Sequence, residues 1–242
     1  MSKAKLHTSL GTPNLMNFID RQSQLPSDTL HMKYPRTYHL PYSEGTTNDD
    51  KKLVTDEAFV GKSVIVTEKL DGENTSMTHD KIWARSVDSG HHPSRNWVNN
   101  LWNMLKHDIP PNLRICGENV YTKHSLYYDK LTSYFYVFSI WDGDTCLSWE
   151  STVEWCHLLD LKHVPVVYRG IYDPIWIYEN HNIKSTFGDE REGLVVRVPE
   201  EFNYLDFSNK LTKIVRKKHV RTSQHWMYEK IIPNKLIYEG EA

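Results

Sequence analysis

Lys69, Asp71 and Gly72 fall together in TEKLDGENTSM, residues 67–77, where an apolar run gives way to a polar turn. A lysine in such a turn can be a plain solvated cation, and it can also be a covalent nucleophile. The second use needs a neutral amine, because an unperturbed lysine, with a pKa of about 10.4, is almost wholly ammonium at neutral pH. Desolvation, a neighbouring cation or a metal ion would free the lone pair. Arg85 is a candidate neighbour. If His79 and Asp80 form a two-residue hairpin loop, Thr78 faces Lys81 and Asn74 falls opposite Arg85, which brings that guanidinium back beside the lysine turn. A nucleoside triphosphate is a natural electrophile for such an amine, since its charge demands cations at several points. A second cationic run, KLTKIVRKKHVR at 210–221, has Lys or Arg at six of twelve positions and no acid. Alone, it reads equally as a solvated face or a phosphate-binding strand.

The elements that must position these groups follow from pattern. SVIVTEKL at 63–70 is β-branched and apolar, and NTSMTHDKIWARS reads as two strands around a tight turn. LRICGENV, SYFYVFSIW, HVPVVYRG, GLVVRV and LTKIVRK also read as strands. PSRNWVNNLWNMLKHDIPP is a helix with Ser94 as candidate N-cap, Trp97, Leu101 and Leu105 on one face and Pro110 as its stop. STVEWCHLLD opens with Ser151 and Glu154 in capping-box spacing, and DPIWIYENHN places Asp173 ahead of Pro174. The expected fold class is α+β, with largely antiparallel sheets flanked by helices. Residues 1–60 are turn-rich and read as an N-terminal arm packed on a body of residues 61–242 with a short C-terminal tail.

EKLDGEN resembles motif I, KxDGxx, of the covalent nucleotidyltransferases, which comprise DNA ligases, RNA ligases and mRNA capping enzymes. ICGENVY resembles motif III around Glu118, FYVFSIWD motif IIIa, EGLVVRV motif IV around Glu192, and LTKIVRKK motif V. The five occur in the superfamily's order, with 49, 74 and 21 residues separating Lys69, Glu118, Glu192 and Lys213. Asn74, five residues after the lysine, is the choice typical of the RNA ligase 2 family, where DNA ligases tend to carry arginine. The runs YPRTYHLP, ARSVDSGHHPSR and KIVRKKHVRTSQHW are similar to runs in bacterial and phage RNA ligases, and they suggest no physical role by themselves.

The resemblance implies an ATP-dependent RNA ligase built on a nucleotidyltransferase (ATP-grasp-like ligase) domain. Lys69 would attack the α-phosphorus of ATP to form lysyl-AMP, pass the AMP to a 5′-phosphate RNA end and allow a 3′-OH to seal the break. It implies catalytic roles for Lys69, Glu192 and Lys213. Glu68, Arg85, Glu118, Phe138, Arg216 and Lys217 would join them in holding the nucleotide, with Phe138 stacking on adenine and Tyr136 as its same-face alternative. Asn74 and Arg95 would lie near the RNA. Motif V usually offers two lysines separated by one residue. Here Val215 takes the second place, so the second cation would be Arg216 or Lys217, and a bulge would be needed for Lys213 and Arg216 to share a face. The implied metal is Mg2+, with Mn2+ able to substitute, held mainly by phosphates and water and by Glu192 through water. Only 29 residues follow Lys213, too few for an appended five-stranded OB-fold, so the arm, the tail or a separate RNA-repair protein would complete the RNA site.

Composition bounds the remaining possibilities. A formal charge of −2 over 242 residues argues against indiscriminate coating of nucleic acid. No run approaches the roughly 20 apolar residues of a membrane span, and the N-terminus shows no secretory signal, so a cytoplasmic protein without a membrane partner is expected. Cys116, Cys146 and Cys156 lack zinc-type spacing and read as reduced, buried thiols. The rival readings are a DNA nick ligase, a GTP-using capping enzyme, and a protein that binds nucleotide or RNA ends without chemistry.

Overall fold

A computed structural model describes residues 32–46, 50–86, 92–217 and 231–237. Two sheets account for most of it. One has five strands in the order β1 (Tyr38–His39), β12 (Leu211–Val215), β10 (Gly193–Arg197), β2 (Ser63–Lys69) and β9 (Val166–Ile171). The other runs β11 (Phe202–Asn203), β7 (Thr145–Cys146), β6 (Phe135–Asp142), β5 (Leu113–Asn119), β3 (Glu73–Met77) and β4 (Ile82–Ala84), with β8 (Lys162–His163) paired to β6. Pairing is antiparallel except for β1 with β12 and β8 with β6, as the predominance of short connections between apolar runs predicts.

The chain crosses between the sheets at the lysine turn. Lys69 ends β2 in the first sheet, and Glu73 opens β3 in the second. The turn is pinned from both sides: Tyr128 Oη accepts from the Asp71 N–H at 2.8 Å, and Asp71 Oδ2 accepts from the Leu126 N–H at 2.8 Å. Gly72 answers a local need. A Cβ there would stand 2.5 Å from the Asn119 carbonyl oxygen, so the turn closes on β5 only with glycine. The hairpin that follows has the expected register, with Thr75 opposite Ala84, Thr78 bonded to Lys81, and the Arg85 N–H donating to the Asn74 carbonyl at 2.8 Å.

Helices pack on the outside of this frame. Helix α1 (Asn96–Leu105) lays Trp97, Val98, Leu101, Trp102 and Leu105 against Met77, Ile115 and Val137, so the apolar stripe at three-and-four spacing does become a core face. Its start differs from the expectation. Ser94 is buried inside a 3-10 turn (Pro93–Arg95) that His92 caps by accepting the Ser94 N–H. Helix α2 (Trp149–Leu158) begins two residues before Ser151 because Ser148 is the cap and accepts the Ser151 N–H at 3.1 Å. Helix α3 (Pro174–Asn180) has Asp173 as its cap, as the Asp-Pro pair predicts. A single turn, α4 (Phe207–Lys210), leads into β12.

The described part of the arm is a structural member of the body. β1 lies parallel to β12, and the Leu40 N–H donates to the Lys213 carbonyl at 2.7 Å. Residues 231–237 run back over the loop that holds the lysine turn, and Asn234, buried, bonds Tyr128 and Val120. All three cysteines are buried free thiols. Among the described residues no helix is long and apolar enough to cross a membrane.

Candidate active site

A cavity of about 1010 Å³ opens along the seam where the two sheets diverge, with Lys69 at its floor. Strand alternation explains which groups reach it. Thr67 and Lys69 of β2 lie across from Val195 and Gly193 of β10, and Val195 in turn lies across from Lys213 of β12, so one face of three adjacent strands forms a wall. The second sheet supplies Asn74, Glu118 and Phe138 to the opposite wall.

Lys69 Nζ donates to Glu192 Oε2 at 2.6 Å, a close ion pair. Glu192 is held there because it directly precedes β10, where Gly193 is in register with Lys69, and because the Arg216 N–H donates to its carbonyl at 3.0 Å. Burial pulls the Lys69 pKa down, but the carboxylates of Glu192, Glu118 and Asp71 push harder, and the net shift is upward. Desolvation acts in the direction expected for a nucleophile, and the acidic neighbours outweigh it. Arg85 lines the cavity but is exposed, and the charges that govern Lys69 are acidic. Lys213 behaves in the opposite sense: burial and then the Lys69 ammonium lower its pKa. Burial raises the Glu118 carboxyl to about 8 against the attraction of Lys69, and Glu192 and Asp71 add to the rise. Glu118 Oε1 accepts from the Gly72 N–H at 3.1 Å.

The other residues singled out by sequence separate into two groups. Phe138 lines the cavity, edge-on to Tyr34 with 5.0 Å between ring centroids, while Tyr136 is buried with its hydroxyl accepting from Thr132 and Ser133. Asn74 lines it too. Arg95 reaches the rim, with its guanidinium gripped by Glu73 through Nε at 2.7 Å and through Nη2. Glu68 borders the cavity, but its carboxylate turns the other way, accepting from Ser185 Oγ and the Thr186 N–H beside Arg191. That use fits strand alternation, since 68 and 69 point to opposite faces. Arg216 and Lys217 are not among the lining residues. β12 runs from Leu211 to Val215 in unbroken register, so no bulge brings Arg216 to the Lys213 face, and Arg216 Nη2 lies 3.6 Å from Glu190 instead. Lys217 is exposed in the turn beyond.

Sequence reasoning missed several lining groups: Lys33, Tyr34, Arg36 and Asp50 of the arm, and Val195 and Arg197 of β10. The two β10 residues had a findable signal, because they continue the same face as Gly193 in EGLVVR. The carboxylates present are single hard-oxygen donors, and among the described residues no group of three or more His, Cys, Asp or Glu side chains forms a ligand set. A divalent cation here would take most of its ligands from bound phosphates and water.

The overall shape resembles that of Naegleria gruberi RNA ligase. Its structure with PPi aligns at a TM-score of 0.51 and 20% identity, covering 88% of this chain and 61% of that one. A lysine-to-alanine mutant of the same ligase with ATP and Mn aligns at 0.49 and 20% identity, covering 77% and 60%. The chain thus spans about three-fifths of the length of those structures. Compared with curated proteins, the chain has no match. A family profile described as RNA ligase matches residues 62–215, well over half of the chain and including every cavity residue from Thr67 to Lys213. The chain belongs to the RNA ligase family.

Proposed function

We propose that this protein is an ATP-dependent RNA ligase that works through a lysyl-AMP intermediate. The observation that carries the reading is the convergence of Lys69, Glu118 and Lys213 on one cavity, with Phe138 on its wall and Glu192 bonded to the Lys69 amine. The Lys69 amine attacks the α-phosphorus of ATP as the bond to the β-phosphate breaks, and pyrophosphate leaves with the electron pair. Attack requires the Nζ proton to depart first, and Glu192, in direct contact, is the group placed to receive it. Lys213 meets the negative charge that develops on the α-phosphate. Glu118, whose carboxyl burial pushes toward its neutral form, can when protonated both donate to and accept from a ribose hydroxyl.

Phe138 and Val195 line the cavity from opposite sheets, and the Phe138 ring would offer its face to a flat base. When bound, a divalent cation would supply positive charge between the phosphates and the amine. The AMP then passes to a 5′-phosphate end as the P–N bond breaks and Lys69 regains its amine. A 3′-OH finally attacks that end and AMP leaves. Arg85, Asn74, Arg95, Lys33 and Arg36 line the cavity and would suit the RNA phosphates. A separate RNA-repair protein would extend this surface.

The test is incubation with Mg2+ and α-labelled ATP or GTP, followed by denaturing electrophoresis and intact mass. An AMP adduct that Lys69→Ala abolishes, without a change in thermal unfolding, is the expected result. A GMP adduct would assign capping-type chemistry. A folded protein, free of preloaded AMP, that forms neither adduct would leave a nucleotide-binding role.

A further inference from the structure

The family match begins at residue 62, yet a carboxylate from outside it stands in the catalytic cavity. Asp50 Oδ1 lies 3.6 Å from Lys213 Nζ and 3.3 Å from His39 Nε2. His39 is 1% exposed, and its Nδ1 faces Ser43 Oγ at 2.9 Å. Ser43 Oγ in turn accepts the Val215 N–H at 3.1 Å, so the chain of contacts starts and ends on β12. We infer that Asp50 is a positioning residue for Lys213, delivered by the arm and held by His39; the inference rests on the proposed ligase function.

The backbone shows why this arrangement is built rather than incidental. His39 is in register with Lys213, so the arm's buried histidine lies beside the lysine it serves. The His39 N–H donates to the Lys51 carbonyl at 2.8 Å, and the His39 carbonyl accepts from the Leu53 N–H at 2.8 Å. These bonds fold the stretch after Asp50 back onto β1. The run HLPYSEG has a place in the same structure. The Gly45 N–H donates to the Val215 carbonyl at 3.0 Å, and a Cβ on Gly45 would collide with the Arg216 carbonyl oxygen. Only glycine lets the arm stay flush against the end of β12.

Lys213 needs such a tether. A lysine is a point charge on a flexible four-carbon stem, and holding it in one rotamer is costly in entropy. The charged groups facing it are the Lys69 ammonium, the Glu192 carboxylate and Asp50. Lys69 repels it from the cavity floor, and Glu192 is already engaged by Lys69 at 2.6 Å. Asp50 therefore sets where the Lys213 ammonium rests. At 3.6 Å the contact is longer than a charge-assisted hydrogen bond, so it can orient the ammonium without removing it from an arriving phosphate.

Single-turnover adduct formation with ATP and Mg2+, followed over hours by intact mass in the full chain, tests this. Asp50→Asn should slow the adduct roughly tenfold, within the range found for directly coupled neighbours, and Asp50→Glu should recover part of the rate. The loss should be the same at every Mg2+ concentration. It should vanish in a Lys213→Ala background, because a residue acting through Lys213 has nothing left to position. Thermal unfolding of Asp50→Asn should match the parent, since the side chain is 24% exposed on a loop. A rate within about twofold of the parent, or an equal loss in both backgrounds, would overturn the inference. A loss erased by raising Mg2+ would also overturn it, by making Asp50 a metal contact. A parent protein that forms no adduct fails the ligase reading itself, which is a separate result.

Discussion

Glu118 carries the clearest pH signature of the cavity. Its carboxyl is raised from 4.5 to about 8, first by burial, so the folded protein binds this proton more tightly than the unfolded chain. The group's stabilising contribution is complete below about pH 4.5 and is lost as pH rises through about 8. Glu118→Gln removes that dependence. Its melting temperature should gain on the parent between pH 5 and pH 9 in the absence of nucleotide, and a constant difference across that range would refute the assignment. The principal groups here, Lys69, Glu118, Phe138, Glu192 and Lys213, were legible because each sits in a short string with its own glycine or apolar frame. The charge state of Lys69 was not legible. It depends on Glu192 arriving from 123 residues away at 2.6 Å, and a spacing along the chain carries no distance.

Strands announced themselves better than the points where elements begin. β2, β6, β9 and β10 are rich in β-branched and aromatic residues, and the β3–β4 register followed from a two-residue loop. Helix starts were displaced because Ser94 and Ser151 are each near a better cap, His92 and Ser148. The two-residue strands β7 and β11 are too short to show a period. The lysine turn is the element whose geometry is least forgiving. Gly72→Ala would press a methyl against the Asn119 carbonyl and the Val120 side chain, and the carbonyl belongs to a β-strand that cannot swing aside. We expect a loss of about 1–3 kcal/mol, typical of overpacking. It should appear as a lower urea midpoint with an unchanged slope, together with slower adduct formation.

At the scale of the whole molecule, both ends of the described chain serve the site. The arm lies on β12, and the tail ties the 120–134 loop through Asn234, whose Nδ2 donates to the Val120 carbonyl and whose Oδ1 accepts the Tyr128 N–H. Tyr128 accepts from Asp71 in the lysine turn, so the tail steadies that turn from two contacts away. Asn234→Ala strands buried partners at about 1–3 kcal/mol each. It should lower the melting temperature and slow the adduct while leaving Asp50-dependent effects intact, because those run through the other sheet. None of this long-range tying is visible in composition or period. One consequence follows from the crossing at residues 69–73. A nucleotide joined to Lys69 as proposed would lie between Phe138 on one sheet and Lys213 on the other and would span the seam as a brace. Under the proposed function, chemical progress would be written into mechanical cohesion: the AMP-bearing form would be the stiffer molecule, and each transfer to RNA would release the brace along with the product.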